Sequence, residues 1–104
     1  RAVGRPDILC KIIDAYLIDT PNILKELETA TENHDVKGIQ FSAHAIKGAS
    51  LNLSATAVSA LAAQIERDAK QDDLTATSSS VAKLVEKSYA LFHDLAKYKD
   101  KNSA

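Results

Sequence analysis

A chain of 104 residues, 45 % hydrophobic and 26 % charged, has room for one ordinary globular domain. Its formal net charge of −1 supplies no field to attract nucleic acid, and its apolar runs are too short to span a membrane. A single Cys excludes an internal disulfide and a cysteine zinc cluster. Three Gly, two Pro, three Tyr, two Phe and no Trp are too few turn and strand formers for a β-sandwich or barrel. Nothing reads as a signal peptide, and Met is absent even at position 1, so the expectation is a piece of a longer chain.

The periodicity is helical throughout. From Asp7 to Asp19, residues Ile8, Leu9, Ile12, Ile13, Tyr16 and Leu17 recur at spacings of three and four, one face of a helix. Thr20-Pro21 reads as a fresh start, with Thr at the N-cap and Pro at the first helical position. The helix it opens carries Ile23, Leu24, Leu27 and Ala30 and ends near His34, where Asp35 can cap the next. That next helix has the stripe Val36, Ile39, Ala43, Ile46, Ser50. The phase changes around residues 51–54, where Asn52 and Ser54 both suit a cap. A further helix runs from Ala55 to about Gln71, with Val58, Leu61, Ile65 and Ala69 inward.

Asp72 and Asp73 suit the break that follows and the positive end of the next helix dipole. The last helix, Leu74 to Tyr98, has the stripe Thr77, Val81, Leu84, Ser88, Leu91, Leu95, Tyr98. Its weak helix formers at Thr75–Ser80 are expected to fray. The organisation is therefore a leader (1–6), a domain (7–98) and a polar disordered tail (99–104). The fold expected is all-α: an antiparallel up-down four-helix bundle with the Asp7–Asp19 helix as an additional N-terminal piece packed at one end.

One constellation carries chemistry. At about 100° per residue, His44 lies roughly 130° from the inward stripe of its helix and faces solvent. Lys47 and Gly48, three and four residues on, share its face; Gln40 and Lys37 lie along the same line before it. A mid-helix Gly costs about 1 kcal/mol relative to Ala, so bulk beside the imidazole must be unwelcome. Lys47 puts a cation where a phosphoryl group on the ring would sit. Phe41 lies about 170° from the inward stripe and roughly 60° from His44. It is either covered by the Asp7–Asp19 helix or is an exposed anchor for a partner, in a patch that Leu51 extends.

The run Ala43-His44-Ala45-Ile46-Lys47-Gly48-Ala49-Ser50-Leu51-Asn52-Leu53-Ser54-Ala55 resembles the signature A-H-x-L-K-G-S-S-x-x-L-G-A of the histidine-containing phosphotransfer (HPt) domain. Leu61-Ala62-Ala63-Gln64-Ile65-Glu66 is similar to the family's L-C-x-x-L-E segment. Tyr16-Leu17-Ile18-Asp19-Thr20-Pro21 is similar to its F-L-x-D-T-P entry to the second helix. The resemblance covers roughly residues 7–98. Ala49 replaces the first Ser of the signature, and Ser54 replaces its Gly. If that Gly serves positive φ, Ser is strained there; if the position is an N-cap, Ser suits it, and the cap reading is preferred.

The resemblance implies a phosphorelay intermediate in two-component signalling. His44 would accept a phosphoryl group from an aspartyl phosphate on a receiver domain and pass it to another. Lys47 would stabilise the phosphate, Gly48 would permit close approach, and Glu66 would orient the ring, with Nε2 as nucleophile. Gln40, Phe41, Leu51 and Lys37 would face the partner. No cofactor is expected in the domain itself; the receiver would bring Mg²⁺ and acidic residues. No Gly-rich phosphate loop marks an ATP site, so the domain is a carrier and not a kinase.

A monomeric cytoplasmic domain is expected, touching neither nucleic acid nor membrane; it either stands alone or ends a hybrid sensor kinase, and the missing Met and the Arg1–Arg5 leader favour the second. The rivals are a helical receiver-docking domain without phosphotransfer and an enzyme using His44 as acid or base, which would need a concave pocket. His34 and His93 are read as inert, Cys10 as a small core residue, and Asp72-Asp73 as a cap.

Overall fold

The structure is a computed structural model that describes residues 6–102. Four helices make up the described residues: α1 (Pro6–Glu32), α2 (Val36–Leu51), α3 (Thr56–Lys70) and α4 (Leu74–Asn102). Each packs on its neighbour in the chain, and α1 closes the ring on α4. Turns of a few residues make consecutive helices antiparallel. At about 1.5 Å per residue, α1 and α4 are each roughly 40 Å long and outrun the shorter α2–α3 hairpin. The molecule measures 48 × 19 × 17 Å.

Two expectations at the ends are corrected. The Asp7–Asp19 segment is not an additional helix. It is continuous with the segment after it, and Pro21 sits inside α1. The reason is a stripe that ignores the proline: Cys10, Ile13, Tyr16, Thr20, Leu24, Leu27 and Ala30 are all buried at spacings of three and four. An interior Pro costs about 3 kcal/mol. Two extra turns of buried side chains, at about 1.5–3 kcal/mol for each large apolar residue, outweigh it. Thr20, read as a cap, is one of those buried residues, only 1 % exposed. At the other end α4 continues through Asn102, so residues 99–102 are helix and not tail. Lys99 there forms an ion pair with Asp14 of α1, and Asn102 Nδ2 donates to the Tyr98 carbonyl. Pro6 belongs to α1, and the rest of the leader and residues 103–104 lie outside the described residues.

The three turns share one geometry. His34, Ser54 and Asp72 have φ of 55°, 56° and 58°. In each, the residue after the left-handed one donates to the carbonyl five back: Asp35 to Ala30, Ala55 to Ser50, Asp73 to Asp68. The left-handed residue itself donates three back, to Thr31, Leu51 and Ala69. These are Schellman caps, and in each the residue that closes the cap is also the N-cap of the next helix. The cap reading of Ser54 is thereby overturned. Ser54 occupies the left-handed position that favours Gly, and the N-cap is Ala55, which makes no side-chain cap bond. Asp35 does cap α2, through Gly38 N, and Asp73 accepts from Ala76 N at the start of α4. Thr77 Oγ1 also bonds the Asp73 carbonyl, so the Thr75–Ser80 stretch is helical.

Ile39, Ala43, Ile46 and Ser50 of α2 are buried on the expected stripe. They face Tyr16, Leu24 and Leu27 of α1 and Val58, Ala62, Ile65 and Ala69 of α3. On α4 the aromatic Phe92 is buried, and Leu91 of the expected stripe is only half-buried. The Phe92 ring meets Tyr16 edge to face, with centroids 5.8 Å apart. The Tyr16 hydroxyl pairs with Ser50 Oγ at 2.8 Å, a buried bond that ties α1 to α2. Burial pushes the Tyr16 pKa up, against the lowering effect of that bond. Gly38 is a close-approach glycine: a Cβ there would stand 2.5 Å from Asp35 Oδ2 and 3.1 Å from Ala30 Cβ.

Candidate functional site

The stripe that buries Ile39, Ala43 and Ile46 turns His44 outward, and its side chain is 71 % exposed. Burial of Ala62, Ile65 and Ala69 sets α3 beside α2 and places Glu66 at the flank next to the ring. Glu66 Oε2 lies 3.2 Å from His44 Nδ1. The resemblance implies that Glu66 orients the ring, and the two side chains meet across 22 residues of sequence. With Nδ1 donating to the carboxylate, the proton is held there, and Nε2 keeps its lone pair and faces solvent.

The other carboxylate oxygen is also engaged. Lys47 Nζ lies 2.9 Å from Glu66 Oε1. The sequence pattern places Lys47 one turn from His44, but its partner on α3 was not legible there. Partial burial pushes the Glu66 pKa up; the hydrogen bond and charge of Lys47, with a smaller effect from His44, more than reverse this, and the net shift is downward. The carboxylate is thus held ionised between an imidazole and an ammonium.

Gly48 is open: a Cβ built there meets nothing within 4 Å. No neighbouring helix therefore requires the glycine. Phe41 is 76 % exposed and Leu51 54 %, so the Asp7–Asp19 part of α1 does not cover Phe41. Phe41 stands at the edge of a groove of about 450 Å³ between α1 and α2, walled by Lys25, Thr29 and Asn33 on the α1 side. Gln40 lies with Lys47 and Glu66 in a second groove, of about 310 Å³, between α2 and α3. Lys37 is exposed and does not line it. Arg67 and Lys70 do, and sequence reading missed both. Their signal was spacing: Lys70 falls four residues after Glu66 and three after Arg67, so it neighbours both on α3.

His34 lies in the α1–α2 turn and His93 is exposed on α4, both on other elements than His44. Cys10 is buried in α1. Among the described residues no three His, Cys, Asp or Glu side chains are placed to hold a metal ion. No described helix is long and apolar enough to cross a membrane.

The model of the Hpt domain matches residues 11–96, which is most of the chain and contains the whole His44–Glu66–Lys47 cluster. The chain belongs to the Hpt family. Among curated proteins, phosphorelay intermediate protein rdeA of Dictyostelium discoideum is similar, 30 % identical over 102 residues. The match takes in 95 % of this chain and 40 % of that protein, so the chain spans well under half of its relative's length. No solved structure matches. Hpt domains are phosphocarriers rather than catalysts, and in phosphorelays they work with receiver domains. The open, shallow surface around His44 suits a group that is offered to a partner.

Proposed function

We propose that this Hpt domain carries a phosphoryl group on His44 Nε2 between the aspartyl phosphates of receiver domains, as a phosphorelay intermediate. The observation that supports it most is the exposed imidazole held through Nδ1 by Glu66, with Nε2 free. In the forward step the Nε2 lone pair attacks phosphorus. The N–P bond forms, the P–O bond to the receiver aspartate breaks, and the aspartate leaves as a carboxylate. No proton has to leave the ring, because Nε2 carries none. The phosphorylated ring keeps its Nδ1 proton and gains positive charge, which the Glu66 carboxylate opposes. Lys47, kept beside the ring by Glu66 Oε1, supplies a cation to the phosphoryl oxygens.

Mg²⁺ and the acidic residues that hold it belong to the receiver in this reading, and this domain supplies position and electrostatics. Gly48 leaves room for the partner's backbone, and Phe41 and Leu51 offer apolar contact beside the ring. The test is transfer of radiolabelled phosphate from a phosphorylated receiver, followed by acid treatment. The expected label is acid-labile and absent from His44→Gln. Label retained in that variant would refute the assignment.

A further inference from the structure

Charge is segregated in this molecule. Helix α1 carries six acidic and two basic residues. From Val36 to Lys70 the chain has four basic residues, Lys37, Lys47, Arg67 and Lys70, against two acidic ones, Glu66 and Asp68. Neither acid is free to balance the groove between α2 and α3. Asp68 is buried and accepts from Gln64 Nε2 at 2.8 Å, and Glu66 is shared by His44 and Lys47. Arg67 and Lys70 are exposed along that groove. Among the described residues no carboxylate pairs with either, and Arg67 Nη2 rests on the neutral Gln64 Oε1 at 2.8 Å. Two unneutralised cations thus stand on α3 beside the residue that holds the imidazole.

We propose that Arg67 and Lys70 are specificity-determining residues that steer and seat the acidic rim of a receiver's phosphorylation centre on the α3 side of His44. The inference rests on the phosphorelay reading above. A receiver that delivers phosphoryl to Nε2 must bring its carboxylate cluster over the α2–α3 groove, and the groove answers with the opposite charge. Nucleic acid is the poorer fit, since the cations are confined to one groove of about 310 Å³ in a chain of net charge −1. Lys70 lies one turn, about 6 Å, along α3 from Glu66. That is within the Debye length of about 8 Å at physiological salt, so the attraction reaches the docking centre and is sensitive to ionic strength. Charges so placed act mainly on the rate of encounter.

The experiment is stopped-flow transfer from a phosphorylated receiver to the wild type, to Arg67→Gln/Lys70→Gln and to the charge-keeping Arg67→Lys/Lys70→Arg, across a salt series. At low ionic strength the Gln pair should transfer about tenfold more slowly. Its salt dependence should be shallower, and the two rates should converge near ~1 M salt, where the Debye length is about 3 Å. The charge-keeping pair should follow the wild type. Circular dichroism checks folding, and if the Gln pair is unfolded, Lys70→Gln alone decides, with a smaller change in the same direction. A labelled wild type whose Gln variant matches it in rate and salt slope overturns this inference alone. So does a loss that is equal at every salt concentration. A wild type that takes no label overturns the phosphorelay reading beneath it.

Discussion

Gly48→Ala should stabilise the domain and slow its phosphotransfer. Gly48 is helical, near the C-terminal end of α2, and a Cβ there meets nothing within 4 Å. The methyl therefore brings no clash, while the helix gains the usual preference of Ala over Gly. In a full helix interior that gain is about 1 kcal/mol; near the last turn about 0.5 kcal/mol is the lower bound. For a domain of this size the gain corresponds to a rise of about 2–8 °C in Tm. The same methyl projects beside His44, into space that a docked receiver would fill. Overpacking of that kind costs about 1–3 kcal/mol, so transfer should fall by about 5-fold to 150-fold. Thermal melts and transfer kinetics on one preparation read both numbers. A variant that melts higher and transfers at the wild-type rate would show that the glycine is not there for close approach. A lower Tm would show that the space is not open.

Three further outcomes are expected. Phe41→Ala should slow transfer from the receiver while changing stability by no more than about 0.5 kcal/mol, as suits a side chain 76 % exposed; a large drop in Tm with normal transfer would make it a core residue. Glu66 has its pKa lowered in the folded state, so its ion pair and hydrogen bond contribute stability above the unfolded value of about 4.3 and lose it as pH falls through the lower folded value. Urea titrations at pH 7 and in steps below pH 4.3 should show Glu66→Gln removing part of this acid-limb slope, and an unchanged slope would refute the assignment. Ser54→Gly should relieve left-handed strain of about 1–2 kcal/mol, less about 0.5–1 kcal/mol for glycine's greater freedom when unfolded. A net rise in the urea midpoint with no change in m is the readout, and a fall would refute the backbone argument.

Helix and stripe were legible wherever local spacing and burial agree. Ile39, Ala43, Ile46 and Ser50 are buried as their spacing requires, and the same phase put His44 outside. What the sequence hid was decided at longer range. Pro21 carries a strong local stop signal, yet the stripe from Ile13 through Thr20 to Leu27 runs past it; a Thr among apolar positions looked like a cap because its burial depends on how α1 packs in the bundle. Ser54 reads as a cap by residue type and is a left-handed terminus by geometry, since φ depends on the hydrogen bonds that close the turn. The Lys47–Glu66 ion pair joins residues on different helices whose proximity only the packed bundle sets. Gly38 passed unnoticed because its reason lies in the Asp35 cap and in Ala30, which crowd it only when the α1–α2 turn closes.

The three matching turns bear on how quickly the fold can assemble. Each closes on hydrogen bonds between residues three and five apart, so a helical hairpin can begin from wholly local contacts. The α1–α2, α2–α3 and α3–α4 pairings are then neighbours in sequence, and closing them has a small entropic cost. Among the described helices only the α1–α4 seam, with Tyr16 against Phe92 and Asp14 against Lys99, joins two that are not neighbours in sequence. Topologies this local fold in about microseconds to milliseconds. Among the described helices the seam is the closure with the longest loop, so mutations there should act mainly on the closing step and mutations in the α2–α3 hairpin on an earlier one. His44 and Glu66 both lie in that hairpin, so the chemical pair can meet before the bundle is complete.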